Sequence, residues 1–278
     1  MNKLSTFIGL LLFVILPVSA QDEISLASWN IRNISNNSRS DAELGIIALI
    51  IFRYDFIALQ EVLDPDVIAR IEDILEDDFQ AEYDIEVSGE VGTNKKERYA
   101  FMWRTDKVSK LSDGAFWEDT NDKFEREPFC GHFQADNFDF KPCTIHLLFG
   151  ENQADRRPEL LLLDDVYRDT KAQDSEDDIL IMGDFNFDPD DIGWAELKAE
   201  DNMLHAINPP EKTTIADVSL YDNIWWPDNS AEVIVDSGEV FEWDELMYPA
   251  GSRREANRLT SDHRPVSIKV LLPASDDD

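Results

Sequence analysis

Near its C-terminus the chain reads "LTSDHRPVSI" (259–268), an acid and a histidine, Asp262 and His263, set just before an alternating apolar run. An acid beside an imidazole can hold a cation and move a proton. The same residues also suit a turn feeding a strand, with Pro265 tolerated at a strand's first position. Partners elsewhere decide between these readings, and four other apolar runs end in groups of the same kind. Asn30 closes "ISLASWNI" (24–31), Glu61 closes "DFIALQEV" (55–62), His146 lies in "CTIHLLF" (143–149), and Asp184 and Asn186 end "DDILIMGDFNF" (177–187). Singly, Asn30 caps a turn, Glu61 marks where a core strand stops, His146 is a satisfied core histidine, and "GDFN" is a tight turn. Together they offer hard oxygen donors, which suit Mg²⁺ or Mn²⁺ and do not suit zinc. Two imidazoles, which titrate near neutrality, accompany them. Two acids are placed to hold those rings: Glu97 in "KKERYAF" and Asp222 in "LYDNIWW".

The elements that must position these groups alternate along the chain. Helical spacing is read in "DAELGIIALIIFRY" (41–54), "PDVIARIEDIL" (65–75) and "RPELLLLDDVYRDT" (157–170), where Pro158 is allowed in the first turn. Besides the runs above, strands are expected at 98–104, 219–226, 231–237 ("AEVIVDS") and 263–272. "REPFCGHFQ" and "CTIHLLF" form a hairpin turning near Asp136–Asn137. Strands in direct succession as well as β–α alternation indicate a mixed, layered α/β domain. Polar groups at strand ends are where such folds hold their ligands.

The first twenty residues stand apart: a positive start "MNK", an apolar core, and the small residues "VSA". This is the pattern of a signal peptide cut after Ala20, leaving residues 21–278 as one domain with room for a substantial core. "LGIIALIIF" (44–52) is too brief to span a bilayer. The expectation is a secreted or periplasmic monomer with no membrane span and no stable protein partner. Its 59 acidic residues against 25 basic ones give a net charge of −34. That argues against a simple basic patch gripping nucleic acid and reads as a solvated, salt-adapted surface. "EDD" (76–78), "SEDD" (175–178) and the tail "SDDD" (275–278) are taken as surface runs. Cys130 and Cys143 face each other across the expected hairpin, so in an exported chain they are expected to form a structural disulfide.

"SWNIR", "FIALQEV", "KERYAFMWR", "REPF", "TIHL", "MGDFN", "LYDNI" and "TSDHRPV" occur in this order over residues 24–272. On these motifs the chain resembles the endonuclease/exonuclease/phosphatase superfamily, and specifically its deoxyribonuclease I-like branch. The resemblance implies a four-layer α/β/β/α sandwich of two packed mixed β-sheets flanked by helices. It implies hydrolysis of a phosphodiester, with DNA as the substrate, by water assisted by Mg²⁺ or Mn²⁺, and it leaves room for a structural Ca²⁺. Position by position, Glu61 matches the metal-binding glutamate, and Asn30 and Asp262 match residues of the metal and phosphate site. Asp184 and Asn186 match the pair that orients water or steadies the phosphoryl oxygens. His263 with Asp222 and His146 with Glu97 match the two catalytic pairs. Arg126 matches an arginine near the scissile phosphate, and Arg32 one that contacts the backbone. The first pair is assigned as base and the second as acid, with the reverse, or Asp184 as base, left open.

The match has departures. Leu63 and Lys95 stand where the branch often carries an arginine and a tyrosine that enter the DNA minor groove, and Asp188 follows Phe187 where a cysteine is usual. The catalytic set is intact while the DNA-gripping surface differs. A phosphodiesterase or phosphatase acting on a lipid headgroup or sugar phosphate is therefore carried as the alternative. A binding protein that has lost catalysis is a remote third reading, since such relatives lose a histidine or a metal acid.

Overall fold

The computed structural model describes residues 22–93, 95–173, 176, 178–248 and 252–275. The signal-peptide reading of residues 1–20 lies outside them. Two six-stranded sheets pack face to face. The first runs β11 (Glu239–Val240), β12 (Val266–Leu271), β1 (Glu23–Ile34), β2 (Phe56–Val62), β4 (Arg98–Arg104), β3 (Tyr83–Val87). The second runs β5 (Ser109–Phe116), β6 (Phe129–Ala135), β7 (Phe138–His146), β8 (Ile179–Asp184), β10 (Asp222–Trp226), β9 (Leu204–His205). Each sheet holds one parallel pair, β1 with β2 and β7 with β8, among antiparallel neighbours. Helices α1 (Asp41–Ile51) and α2 (Asp66–Phe79) cover the first sheet. Helices α3 (Gln153–Leu160) and α4 (Leu163–Lys171) cover the second. This is the expected four-layer sandwich, with short helices α5 (Ala195–Ala199), α6 (Trp243–Met247) and α7 (Arg253–Leu259) in the connections.

Strand alternation sorts the residues into layers. In β1, Ala27 and Trp29 face the helices while Leu26 faces the other sheet. Between the sheets lies an aromatic group in which Phe133 meets Phe56 at 4.9 Å, Trp103 at 5.0 Å and Phe101 at 5.4 Å, all edge-on. Each such pair adds about 0.5–1.5 kcal/mol beyond the area it buries. Cys130 and Cys143 sit opposite each other in the β6–β7 ladder and form the disulfide. By restricting the unfolded chain, a loop of about this size contributes about 3 kcal/mol.

Three sequence expectations are corrected. The helix at 157–170 is two helices broken at Leu161–Leu162, because Leu161 turns outward to 41 % exposure and the run of four leucines carries no period to mark the break. The strand at 231–237 shrinks to an isolated bridge of Val233 to Val270, with the Ile234 N–H on the Lys269 carbonyl and the Leu271 N–H on the Glu232 carbonyl, and β11 pairs with Val266 and Ser267 further along the same edge. Glu176 and Asp178 are buried, unlike the exposed Glu76–Asp78. Glu176 stands 3.9 Å from His132, which in turn bonds Asp139 at 3.0 Å on the outer side of the second sheet.

Candidate active site

The same alternation that builds the core turns polar at one end of the inter-sheet layer. Above Leu26 and Ala58, and level with Met182 across the β7–β8 ladder, the inward positions are Ser28, Gln60 and Thr144, all fully buried. The Gln60 amide nitrogen bridges the sheets, donating to Ser28 Oγ at 3.0 Å and Thr144 Oγ1 at 2.9 Å. One step further come Asn30, His146, Asp184 and Asp222. Register places His146 beside Asp184 and Asp184 beside Asp222. The β8 neighbour Gly183 is required by this closeness, since a Cβ there would lie 1.9 Å from the Ile145 carbonyl oxygen.

Glu61 reaches this layer by a different route. After inward-facing Gln60 it should point to the helix side, but β2 carries an irregularity between Leu59 and Val62, and Glu61 adopts a left-handed φ of 62°. Arg32 and Asn33 are left-handed in the matching irregularity of β1. Bulged, left-handed positions of non-glycine residues concentrate where side chains are re-aimed for function. Here they bring the Glu61 carboxylate back to Asn30 Nδ2 at 3.0 Å and the Asn33 backbone N–H at 3.0 Å.

Asp184 is the hub. Its Oδ2 accepts from Asn30 Nδ2 at 3.0 Å and lies 3.7 Å from His146 Nε2 and 3.6 Å from His263 Nε2. Its Oδ1 accepts from the Asn186 N–H at 3.0 Å. Each imidazole is held on its other side by an acid: His146 Nδ1 by Glu97 Oε1 at 2.6 Å, His263 Nδ1 by Asp222 Oδ2 at 2.8 Å. A carboxylate on Nδ1 fixes the ring's orientation and leaves Nε2 facing the site. Asn186, left-handed at φ 55°, donates its side-chain amide to the Leu147 carbonyl at 2.8 Å.

Electrostatics follow from this packing. Burial works to raise the Glu61 carboxyl, but His146, the Asn30 amide, Lys95 and His263 outweigh it and hold it at about 2. It is therefore ionised and open to the cleft. Burial would lower His263, yet Asp222 and Asp184 outweigh it and raise the ring above the ordinary imidazole range. Burial, with Asp184 adding, pushes Asp222 up as well. Both shifts favour a proton on the His263–Asp222 pair.

The other expected site residues lie around this centre. Asp262 borders the same cleft, half-exposed, with Arg32 Nε 3.6 Å away; Arg32 also donates to the Asn257 carbonyl at 2.7 Å. Arg126 is buried behind His146. It donates to the carbonyls of His146 at 2.8 Å and Leu147 at 3.0 Å, with Glu97 at 3.5 Å. That placement makes it a support for the His146 strand end. Lys95 approaches Glu61 Oε2 at 3.4 Å. Several contributors went unread in the sequence. Ser261 Oγ donates to the Asn30 carbonyl at 2.6 Å and accepts from the His263 N–H at 3.0 Å. Thr213 Oγ1 accepts from the Asp222 N–H, and Tyr99 OH from the His146 N–H at 3.2 Å.

The donor set fits a hard divalent cation. Glu61 is an ionised carboxylate at the floor of a cleft of about 410 Å³, with Asp184 and Asp262 on the same cleft. Oxygen donors of this kind suit Mg²⁺ or Mn²⁺.

Comparison with known proteins gives a consistent picture. The family model described as "Endonuclease/Exonuclease/phosphatase family" matches residues 27–263. A deoxyribonuclease of Thioalkalivibrio sp. (strain K90mix) is 32 % identical over 274 residues, spanning 94 % of this chain and 74 % of the relative. Deoxyribonuclease-1 of Bos taurus is 29 % identical over 261 residues, covering 89 % and 92 %. Among solved structures, an endonuclease/exonuclease/phosphatase family protein of Bacteroides thetaiotaomicron superposes with a TM-score of 0.65 at 18 % identity, over 91 % of this chain and 99 % of that one.

Proposed function

Because the chain belongs to the endonuclease/exonuclease/phosphatase family, we propose that it is an exported, divalent-cation-dependent endonuclease that hydrolyses DNA by in-line attack of water on the phosphodiester. The observation that carries this reading is the pair of acid-held imidazoles whose Nε2 atoms face one carboxylate, Asp184 Oδ2, at 3.7 and 3.6 Å. Such a pair can take a proton from water on one side of a phosphorus and return one to a leaving oxygen on the other. The deoxyribonuclease names of the relatives support DNA as the substrate.

Glu61, with Asn30 and Asp262 beside it, would hold the cation. When bound, Mg²⁺ or Mn²⁺ supplies positive charge against the phosphoryl oxygens as the transition state forms. Asp184 and Asn186 orient the attacking water and steady the phosphoryl oxygens, and the Asn186 amide stays aimed through its bond to Leu147. Of the two orders the sequence leaves open, we place the proton donor at His263 and the acceptor at His146. Asp222 and Asp184 favour the protonated His263 ring, which supports this order over the one first assigned from the sequence, where the reverse was left open. Arg126 positions His146 from behind. Export is supported by the N-terminal "MNK"-to-"VSA" pattern and by the disulfide. No helix among the described residues is long and apolar enough to cross a membrane.

The direct test incubates purified protein with supercoiled plasmid and, separately, sphingomyelin, in Mg²⁺ or EDTA. Plasmid nicking in Mg²⁺ that stops on chelation is the expected result. Nicking that survives EDTA, or turnover of sphingomyelin alone, would overturn the reading.

Salt provides a second prediction. A chain of net charge −34 repels a polyanion. Screening shrinks that repulsion from a range of about 10 Å at 0.1 M salt to about 3 Å at 1 M. Nicking and thermal stability should therefore hold or rise as NaCl goes from 0.1 to 1 M. An enzyme fastest and most stable at the lowest salt would contradict the screening argument.

A further inference from the structure

One wall of the cleft takes no part in the proton chemistry. Phe149 is 55 % exposed and Val218 70 % exposed, and both border the cleft together with Tyr221. Large apolar side chains left in water beside a charged centre mark a contact surface. Phe149 is not loosely placed. Its ring meets Tyr221 edge-on with centroids 6.4 Å apart. The Arg156 guanidinium carbon lies 4.6 Å from the Phe149 centroid and 5.9 Å from that of Tyr221. Arg156 is itself buried and donates to the Asn186 carbonyl at 2.5 Å. A buried cation tied to the site loop thus carries two aromatic rings, an attractive arrangement that holds them ready without a ligand.

Among the described residues, phosphate-gripping charge beside the cleft is limited to Arg32, 3.6 Å from Asp262, and Lys95, 3.4 Å from Glu61, each paired with an acid. Of the described residues that line the cleft itself, none is lysine or arginine. Duplex affinity is built mainly from cation–phosphate contacts, so here the contact with bases has more to supply. A base inside a duplex is already stacked and cannot turn a face to a wall beside the scissile phosphate. An unpaired base can, and aromatic stacking tolerates any base because each has a π-face.

We propose that the Phe149–Tyr221 wall is a stacking surface for an unpaired nucleobase next to the scissile phosphate, so that the enzyme prefers single-stranded or frayed DNA over intact duplex. This rests on the nuclease reading above. Phe149 sets this preference, the Arg156 guanidinium positions its ring, and Val218 extends the apolar edge on which the base lies.

The test measures kcat/KM on one oligonucleotide, single-stranded and as duplex, for the wild type, Phe149→Ala and Phe149→Trp. The wild type should favour the single strand. Phe149→Ala should lower the single-strand-to-duplex ratio about tenfold, which is ~1.4 kcal/mol and within what stacking one base supplies. Phe149→Trp should restore it. A wild type without preference, an unchanged ratio in Phe149→Ala, or equal losses on both substrates would overturn the proposal and leave the nuclease reading standing. Absence of any DNA cleavage, with phospholipid hydrolysis that falls in Phe149→Ala, would remove both and assign the wall to an acyl chain.

Discussion

Glu61→Gln will slow plasmid nicking by about a thousandfold and abolish the stabilisation that Mn²⁺ gives the wild type. Charge stabilisation of several kcal/mol is what a bound cation contributes to such a transition state, and each 1.36 kcal/mol is tenfold in rate. The substitution keeps the side chain's size and removes the charge that the left-handed backbone at this position delivers to the cleft. It also puts an amide where two donors, Asn30 Nδ2 and the Asn33 N–H, now point at carboxylate oxygens, so one of these bonds is lost. Two readouts separate the effects. An ion present at a hundred times its dissociation constant stabilises a folded protein by about 2.7 kcal/mol. For a domain of this size that raises the melting temperature by roughly 5–10 °C. The wild type should show that rise with Mn²⁺ and the variant should not, while its melting temperature without metal falls only modestly. A variant that keeps a tenth of the wild-type rate and still responds to Mn²⁺ would remove Glu61 from the cation site.

The six residues at the heart of the site, Asn30, Glu61, His146, Asp184, Asp222 and His263, were legible because strands end where apolar alternation ends, and chemistry-bearing side chains at those ends stand out. Glu97, which holds His146, was legible too; the other supports were not, for reasons that differ. Gln60, Ser28 and Thr144 are joined across 32 and 84 positions of sequence, and no local pattern announces a polar bridge between two sheets. Ser261 and Thr213 look like turn residues and are also site supports, a double use that composition cannot reveal. The left-handed backbone at Arg32, Asn33 and Glu61 falls on residues other than glycine, so the usual mark of a positive φ is missing. Phe149 reads as the end of a core run and is instead on the surface. β5 was missed because it is an edge strand, largely exposed, whose "SKLSDGAF" lacks an apolar face. The stretch 231–237 has the alternation of a strand, but its backbone pairing with β12 is confined to Glu232–Ile234 and ends in a turn closed by the Ser237 N–H on the Ile234 carbonyl. The layered fold was thus written in periodicity, while the precision of the site is tertiary.

His263→Ala will lower kcat/KM on DNA by about a hundred- to ten-thousandfold, the span of positioned acid–base catalysis, and the loss will depend on the leaving group. The argument runs from charge state to role. Asp222 and Asp184 favour the protonated His263 ring and outweigh the effect of burial. A raised pKa keeps the protonated form present through neutrality and releases it only as the pH climbs past the shifted value. The wild-type rate should therefore fall on the alkaline side well above the ordinary imidazole pKa of 6.5, and His263→Ala should lose that alkaline limb. DNA expels a poor leaving alkoxide that needs a proton; bis(4-nitrophenyl) phosphate expels a phenolate that does not. Removal of a proton donor should then be felt severely on DNA and within about tenfold on the aryl ester, since the donor supplies little when the leaving group is already stable. His146→Ala, having lost the acceptor for the water's proton, should be impaired to a similar degree on both substrates. Asp222→Asn should follow His263→Ala, because it removes the charge that retains the proton and adds an amide donor that can turn to Nδ1 and reverse the tautomer. Rescue of His146→Ala in place of His263→Ala would exchange the two roles, and rescue of neither would move proton donation to a group other than the imidazoles.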